Sequence, residues 1–153
     1  MKHYLILIFF VLLLPAVWGC GNKVQIRGKV TFEEDGSPLT FGTVKFVGEK
    51  TQATGHIQKD GTYRLGEVKP GDGIMPGLYR VTVYAESGGG SDSTPVTYHI
   101  DRKFKNPATS GLTCEVKRRM THDIIVTKPL PGEETERQFD QAPRVGPPPG
   151  MTQ

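Results

Sequence analysis

Few side chains in this sequence could act as acids, bases or nucleophiles, and they lie far apart. Beyond the first 20 residues, His56, His99 and His122 occupy three different segments, and only His122 has a neighbouring carboxylate, Asp123. Neighbours in a strand point to opposite faces. No pair has the spacing of metal ligands or of a base and its nucleophile. We therefore expect no catalytic residue, metal or other cofactor; the alternative is a site that folding assembles from distant segments.

The two cysteines, Cys20 and Cys114, have different settings. Cys114 lies in the alternating segment 112–116, on the same strand face as Leu112 and Val116. This pattern predicts a buried, unreactive thiol. The alternative, a reactive thiol, needs a cationic and partly exposed setting.

The first 19 residues have the composition of an export signal. A basic start at Lys2 is followed by a largely apolar run, residues 4–17, which is shorter than a membrane span of about 20 residues. Gly19-Cys20 resembles the bacterial lipobox, although Trp18 stands where a small residue is usual. The resemblance implies cleavage before Cys20, lipidation of Cys20, and a short tether over residues 20–23. The alternative is an ordinary secreted protein that is cut nearby.

Size and charge limit the possible classes of function. Removal of the 19-residue signal from 153 residues leaves 134, which favours one domain with a substantial core. The chain has 19 Lys and Arg against 16 Asp and Glu, so loss of Lys2 leaves a net charge of +2. This weak, mixed charge argues against a nucleic-acid partner. With Cys20 lipidated, Cys114 has no disulfide partner within the chain.

Turn signals followed by alternating residues recur along the chain. Asp60-Gly61 and Pro76-Gly77 are typical turn pairs, and β-branched and aromatic residues follow each of them. Outside the signal, apolar residues do not recur at helical spacing for three turns. The pattern predicts an all-β fold with seven strands, at residues 24–32, 41–47, 53–57, 62–65, 78–84, 112–116 and 123–127.

Alternation within these strands predicts which side chains are buried. In segment 78–84, Tyr79, Val81 and Val83 should face the core, whereas Arg80 and Thr82 should face solvent. In the first strand, Arg27 and Lys29 should face solvent, while Gly28 lies on the apolar face, which suggests a bulge or a close backbone approach. Other expected inward residues are Val44 and Phe46, with Tyr98, Ile100 and Phe104 as anchors against the sandwich.

The polar segments each allow two interpretations. Lys117-Arg118-Arg119 should be a solvated hairpin tip, the alternative being a patch for phosphate or acidic lipid. Asp35, Asp60, Asp72 and Asp92 lie in Gly-rich turns, where bonding to the turn backbone is favoured over a calcium site. Residues 128–153 carry six of the 12 prolines, which predicts a disordered tail; a proline-rich recognition segment is the alternative.

Four short motifs, in order, resemble those of one family. They are VTFEEDGSPLTFGTVKF at 30–46, DGTY at 60–63, PGLYRV at 76–81 and TSGL at 109–112. Together they are similar to the carboxypeptidase-regulatory-like, transthyretin-like modules, including a group of short bacterial lipoproteins. The resemblance covers residues 24–127. It implies a seven-stranded antiparallel Greek-key sandwich of transthyretin-like (prealbumin-like) type, but no shared chemistry.

These observations favour a non-enzymatic, lipid-anchored module of the cell envelope, facing the periplasm or the exterior, with an unknown envelope protein or glycan as partner. One alternative is a hydrolase similar to hydroxyisourate hydrolase, a transthyretin-like enzyme with a His/Arg site and a C-terminal Tyr-Arg-Gly-Ser. The present chain ends Pro-Gly-Met-Thr-Gln. Another alternative is a carbohydrate- or peptide-binding module that uses loops 66–75 and 87–94.

Overall fold

The computed structural model describes residues 23–89 and 94–136 of the chain. The predicted signal, Cys20, Asp92 and residues 137–153 of the predicted tail lie outside these ranges. Within the ranges, no helix is long and apolar enough to cross a bilayer. The described part is all-β, as the sequence pattern predicts, with one short 3₁₀ helix at Arg102–Lys105.

Eleven strands form within the described ranges, and most of them coincide with the predicted segments. In chain order they are β1 (Ile26–Phe32), β2 (Thr43–Val47), β3 (Gln52–His56), β4 (Thr62–Arg64), β5 (Gly77–Tyr84), β6 (Glu86–Gly88), β7 (Val96–Tyr98), β8 (Leu112–Val116), β9 (Met120–Thr121), β10 (Ile124–Val126) and β11 (Thr135–Glu136). The four strands that the sequence pattern missed, β6, β7, β9 and β11, have only two or three residues each.

The strands form three sheets. One has the order β10-β1-β4, with β9 also paired to β1, and another has the order β3-β2-β5-β8. A small third sheet has the order β11-β7-β6. The expectation of purely antiparallel pairing is wrong for the first sheet, because β1 runs parallel to both β9 and β10. A parallel pair needs a long crossover connection, and here the chain forms β2 to β8 between the two partners.

The two larger sheets enclose one hydrophobic core, which gives the fold its sandwich-like character. The first sheet contributes buried residues such as Ile26, Val30 and Ile124, and the second contributes Phe46 and Val81. The inward positions of Val44 and Phe46 are confirmed, since both are fully buried. Alternation along each strand therefore leaves the opposite side chains outside the core.

Strand β5 confirms most of the predicted alternation but not all of it. Tyr79, Val81 and Val83 are buried and Arg80 is exposed. The prediction for Thr82 is wrong, because this side chain is fully buried. The 3₁₀ helix packs against β5, and its own residue Phe104 is buried. Alternation identifies the two faces of a strand, but it cannot show that a later segment covers the second face.

The predicted disordered tail is wrong for residues 128–136, which form a turn and strand β11. Strand β11 pairs antiparallel with β7, and the Tyr98 amide donates to the Glu134 carbonyl at 2.7 Å. The Glu136 carboxylate accepts bonds from the Tyr98 hydroxyl at 2.7 Å and from Arg102 at 2.6 Å. Backbone pairing and charge-assisted bonds thus order a segment whose composition offers little apolar area.

Candidate functional site

The three histidines make separate contacts. His56 is exposed at the end of β3, and the His99 Nε2 atom lies 2.9 Å from the Ser87 hydroxyl. The His122 ring packs edge-on against Phe46, with 5.7 Å between ring centroids. Burial lowers the pKa of His122, although Asp123 opposes this effect. The lowered pKa favours the neutral imidazole.

Cys114 is buried, as predicted, and is 4% exposed. Burial raises the pKa of its thiol, so the thiol stays protonated at neutral pH. Within residues 23–89 and 94–136, no hydrogen bond joins Cys114 to a histidine. The neighbouring Tyr63 hydroxyl donates instead to the backbone carbonyl of His122, at 2.6 Å. The described contacts of these groups are therefore structural.

The aspartates in the described turns bond to their own loops, as predicted. Asp35 accepts from the Ser37 amide at 2.9 Å and Asp60 from the Thr62 amide at 3.0 Å. Asp72 accepts from the Glu67 amide at 2.8 Å. In the described ranges, no group of three or more His, Cys, Asp or Glu residues could hold a metal ion.

Two arginines stand side by side on the outer face of the first sheet. Arg27 in β1 is directly opposite Arg64 in β4, and both are exposed. The flanking pair is hydrogen-bonded, since the Leu65 amide donates to the Ile26 carbonyl at 3.0 Å. Because antiparallel pairs alternate, Arg27 and Arg64 form a non-hydrogen-bonded pair, the type in which side chains are closest.

A third arginine completes an open pocket beside this pair. Arg119, in the turn between β8 and β9, donates from its guanidinium to the side-chain oxygen of Gln25. The pocket has a volume of about 250 Å³. It is lined by Gln25, Ile26, Arg27, Arg64, Gly71 and Arg119.

No carboxylate among the described residues forms an ion pair with any of these arginines. Loop 66–75, whose residue Gly71 lines the pocket, has two carboxylates, and both pair with Lys23: Glu67 at 2.9 Å and Asp72 at 3.4 Å. Like charges directly opposite each other in a sheet are destabilising. The pocket thus brings positive charges close together, and a bound anion would reduce their repulsion.

The pocket lies where the chain enters the fold. Val24 exchanges two backbone hydrogen bonds with Ile74, at 2.8 Å and 2.9 Å. Lys23, one residue earlier, is held by the ion pairs to loop 66–75. Gln25, one residue later, already lines the pocket. The N-terminal segment is therefore fixed to the sandwich from Lys23 onward.

Parts of this pocket could be predicted from the sequence, but their proximity could not. Alternation places Gln25 and Arg27 on the solvent face of the first strand, and a phosphate patch at Arg119 is one interpretation of segment 117–119, but no binding role was predicted for Gln25 or Arg64. The missing information is the pairing of β1 with β4, which the Asp60-Gly61 turn between β3 and β4 does not determine. Comparisons with protein-family models, curated proteins and solved structures found no match to this chain.

Proposed function

We propose that this protein is a non-enzymatic, lipid-anchored module of the bacterial cell envelope, and that the arginine pocket is its ligand-binding site. The observation that carries the proposal is the position of the pocket at the entry of the chain. Gln25 lies only five positions after Cys20, which corresponds to at most about 18 Å of extended chain. A lipid on Cys20 would hold the pocket next to the membrane surface.

Anchoring at Cys20 has a clear energetic basis. A single acyl chain gives marginal membrane binding, whereas two chains anchor a protein stably. Diacylation of one cysteine supplies both chains. Because Lys23 and Val24 are bonded to loop 66–75, the tether left between the lipid and the folded domain is short. The orientation of the pocket toward the bilayer would therefore be restricted.

We further propose that the sandwich is of the transthyretin-like, carboxypeptidase-regulatory-like type. Two motifs support this assignment by their places in the fold. Asp60-Gly61 forms the turn between β3 and β4, and Pro76-Gly77 stands at the start of β5, the strand that pairs with both β2 and β8. The described contacts of the histidines and of Cys114 do not favour the hydrolase alternative, because each contact serves packing or local bonding.

The anchoring proposal is tested in a bacterial host that processes lipoproteins. With the full chain, we expect the protein in the membrane fraction, with a mature N-terminal mass that includes a diacylated cysteine. Cys20→Ser should leave the precursor uncut or release the protein into the soluble fraction. Cys114→Ser is the matched control and should leave fractionation unchanged. Identical mass and fractionation for wild type and Cys20→Ser would refute the proposal.

A further inference from the structure

We propose that the arginine pocket binds a phosphate group, and that this phosphate belongs to a phospholipid headgroup or to a soluble phosphate. The chemistry at the pocket is the same for both sources. The inference deepens the proposed function and rests on it only for the membrane source.

The donors of the pocket match an oxyanion. The Arg27 and Arg64 guanidinium groups each present planar N–H forks, which bind phosphate oxygens in pairs. Arg119 can only donate, so the Gln25 atom that it contacts is the amide oxygen. The Gln25 amide nitrogen is then a further donor at the same pocket. Three cations and an amide thus surround a space that no described carboxylate neutralises.

The size of the pocket limits the ligand to a small group. Small-molecule sites occupy roughly 300–1,000 Å³, and this pocket is smaller, at about 250 Å³. An extended glycan or peptide needs a longer groove. A phosphate with its first ester group fits the available volume and charge.

Loop 66–75 points to the membrane as the source of the phosphate. Its residue Gly71 lines the pocket, and three residues earlier Val68 is 80% exposed. Lys69, next to Val68, is also exposed. An exposed apolar side chain and a cation beside an anion pocket suit the boundary between headgroups and acyl chains. Glu67 of the same loop forms an ion pair with Lys23, which lies three residues after Cys20, the proposed lipid site.

The test uses the mature full chain, residues 20–153, with Cys20→Ser, so that no acyl chain contributes to binding. Vesicles of phosphatidylcholine are compared with vesicles that also contain phosphatidylglycerol, and inorganic phosphate is titrated separately by NMR. We expect binding to the phosphatidylglycerol vesicles and shifts of the Gln25 and Arg27 signals with phosphate. The double variant Arg27→Gln, Arg64→Gln should weaken both by at least about tenfold.

The control keeps the charge change but moves it away from the pocket. Arg80 and Lys50 are exposed and do not line the pocket, so Arg80→Gln, Lys50→Gln loses the same charge. Circular dichroism checks that all variants fold. Phosphate binding without vesicle binding would support the pocket and overturn the membrane source. If neither phosphate nor vesicles bind, or if the two double variants lose the same affinity, the inference is overturned. Neither result depends on anchoring through Cys20.

Discussion

A single oxygen atom, the Tyr63 hydroxyl, stabilises the meeting point of β4, β1 and the segment after β9. It donates to the His122 carbonyl at 2.6 Å, and the side chain is 1% exposed. Gly28 makes this contact geometrically possible. A Cβ atom at Gly28 would lie 1.9 Å from the His122 carbonyl oxygen and 2.9 Å from the Tyr63 ring. The close backbone approach predicted at Gly28 is therefore confirmed.

Replacement of Tyr63 by Phe keeps the ring and removes only this donor. The His122 carbonyl then loses this hydrogen-bond partner at a partly buried position, and the loss of such a bond costs about 1 kcal/mol of unfolding free energy. Ionisation does not complicate the result, because burial raises the pKa of Tyr63 well above its ordinary range. We expect Tyr63→Phe to lower the free energy of unfolding by this amount.

Urea unfolding followed by circular dichroism measures the loss. Tryptophan fluorescence is unsuitable, since the only tryptophan, Trp18, belongs to the predicted signal. Tyr84→Phe is the matched control: Tyr84 is half-buried at the end of β5, and no hydrogen bond to its hydroxyl occurs in the described part of the chain. Equal midpoints for the two variants would refute the role assigned to the Tyr63 hydroxyl.

Two further predictions concern the tail and the half-buried His122. Truncation after Lys128 should lower the thermal midpoint more than truncation after Glu136, because the first removes β11 and the Glu136 bonds to Tyr98 and Arg102; equal midpoints would contradict this role of β11. The folded-state pKa of His122 is below its ordinary value of 6.5, so its neutral form favours folding. Stability should be fully present above pH 6.5 and fall as the pH drops through the lower folded pKa. His122→Phe should remove this slope in urea titrations at several pH values, and an unchanged slope would show that another group causes it.

The longer strands could be predicted from the sequence because the alternation of apolar and polar residues is itself the cause of burial on one face. In β1, β2 and β8, apolar side chains alternate with polar ones, and the structure buries the apolar set. Thr82 shows the limit of this reasoning, because it is buried although alternation places it opposite Val81 and Val83, and the 3₁₀ helix that packs against β5 lies about 20 residues later. Strand β11 shows another limit, since a two-residue strand is ordered by the edge of β7 and has no pattern of its own.

The pocket was less predictable than the core for a related reason. Arg27 is outward by alternation, and the same holds for Arg64 behind the Asp60-Gly61 turn. Their pairing depends on the register of β1 against β4, which the turn between β3 and β4 does not determine. Arg119 joins them only because β9 runs parallel to β1, a pairing that the expectation of an antiparallel fold excluded.

One strand, β1, connects the core to the proposed binding site. Its inward residues Ile26 and Val30 are buried, and its outward residue Arg27 stands opposite Arg64. A slip of one residue in the pairing would turn Ile26 outward and Arg27 inward, and burial of an unpaired guanidinium is very costly. The register that stabilises the core therefore also keeps the two arginines adjacent. The binding geometry that we propose is thus maintained by the packing energy of the sandwich, and not by contacts among the arginines themselves, which repel one another.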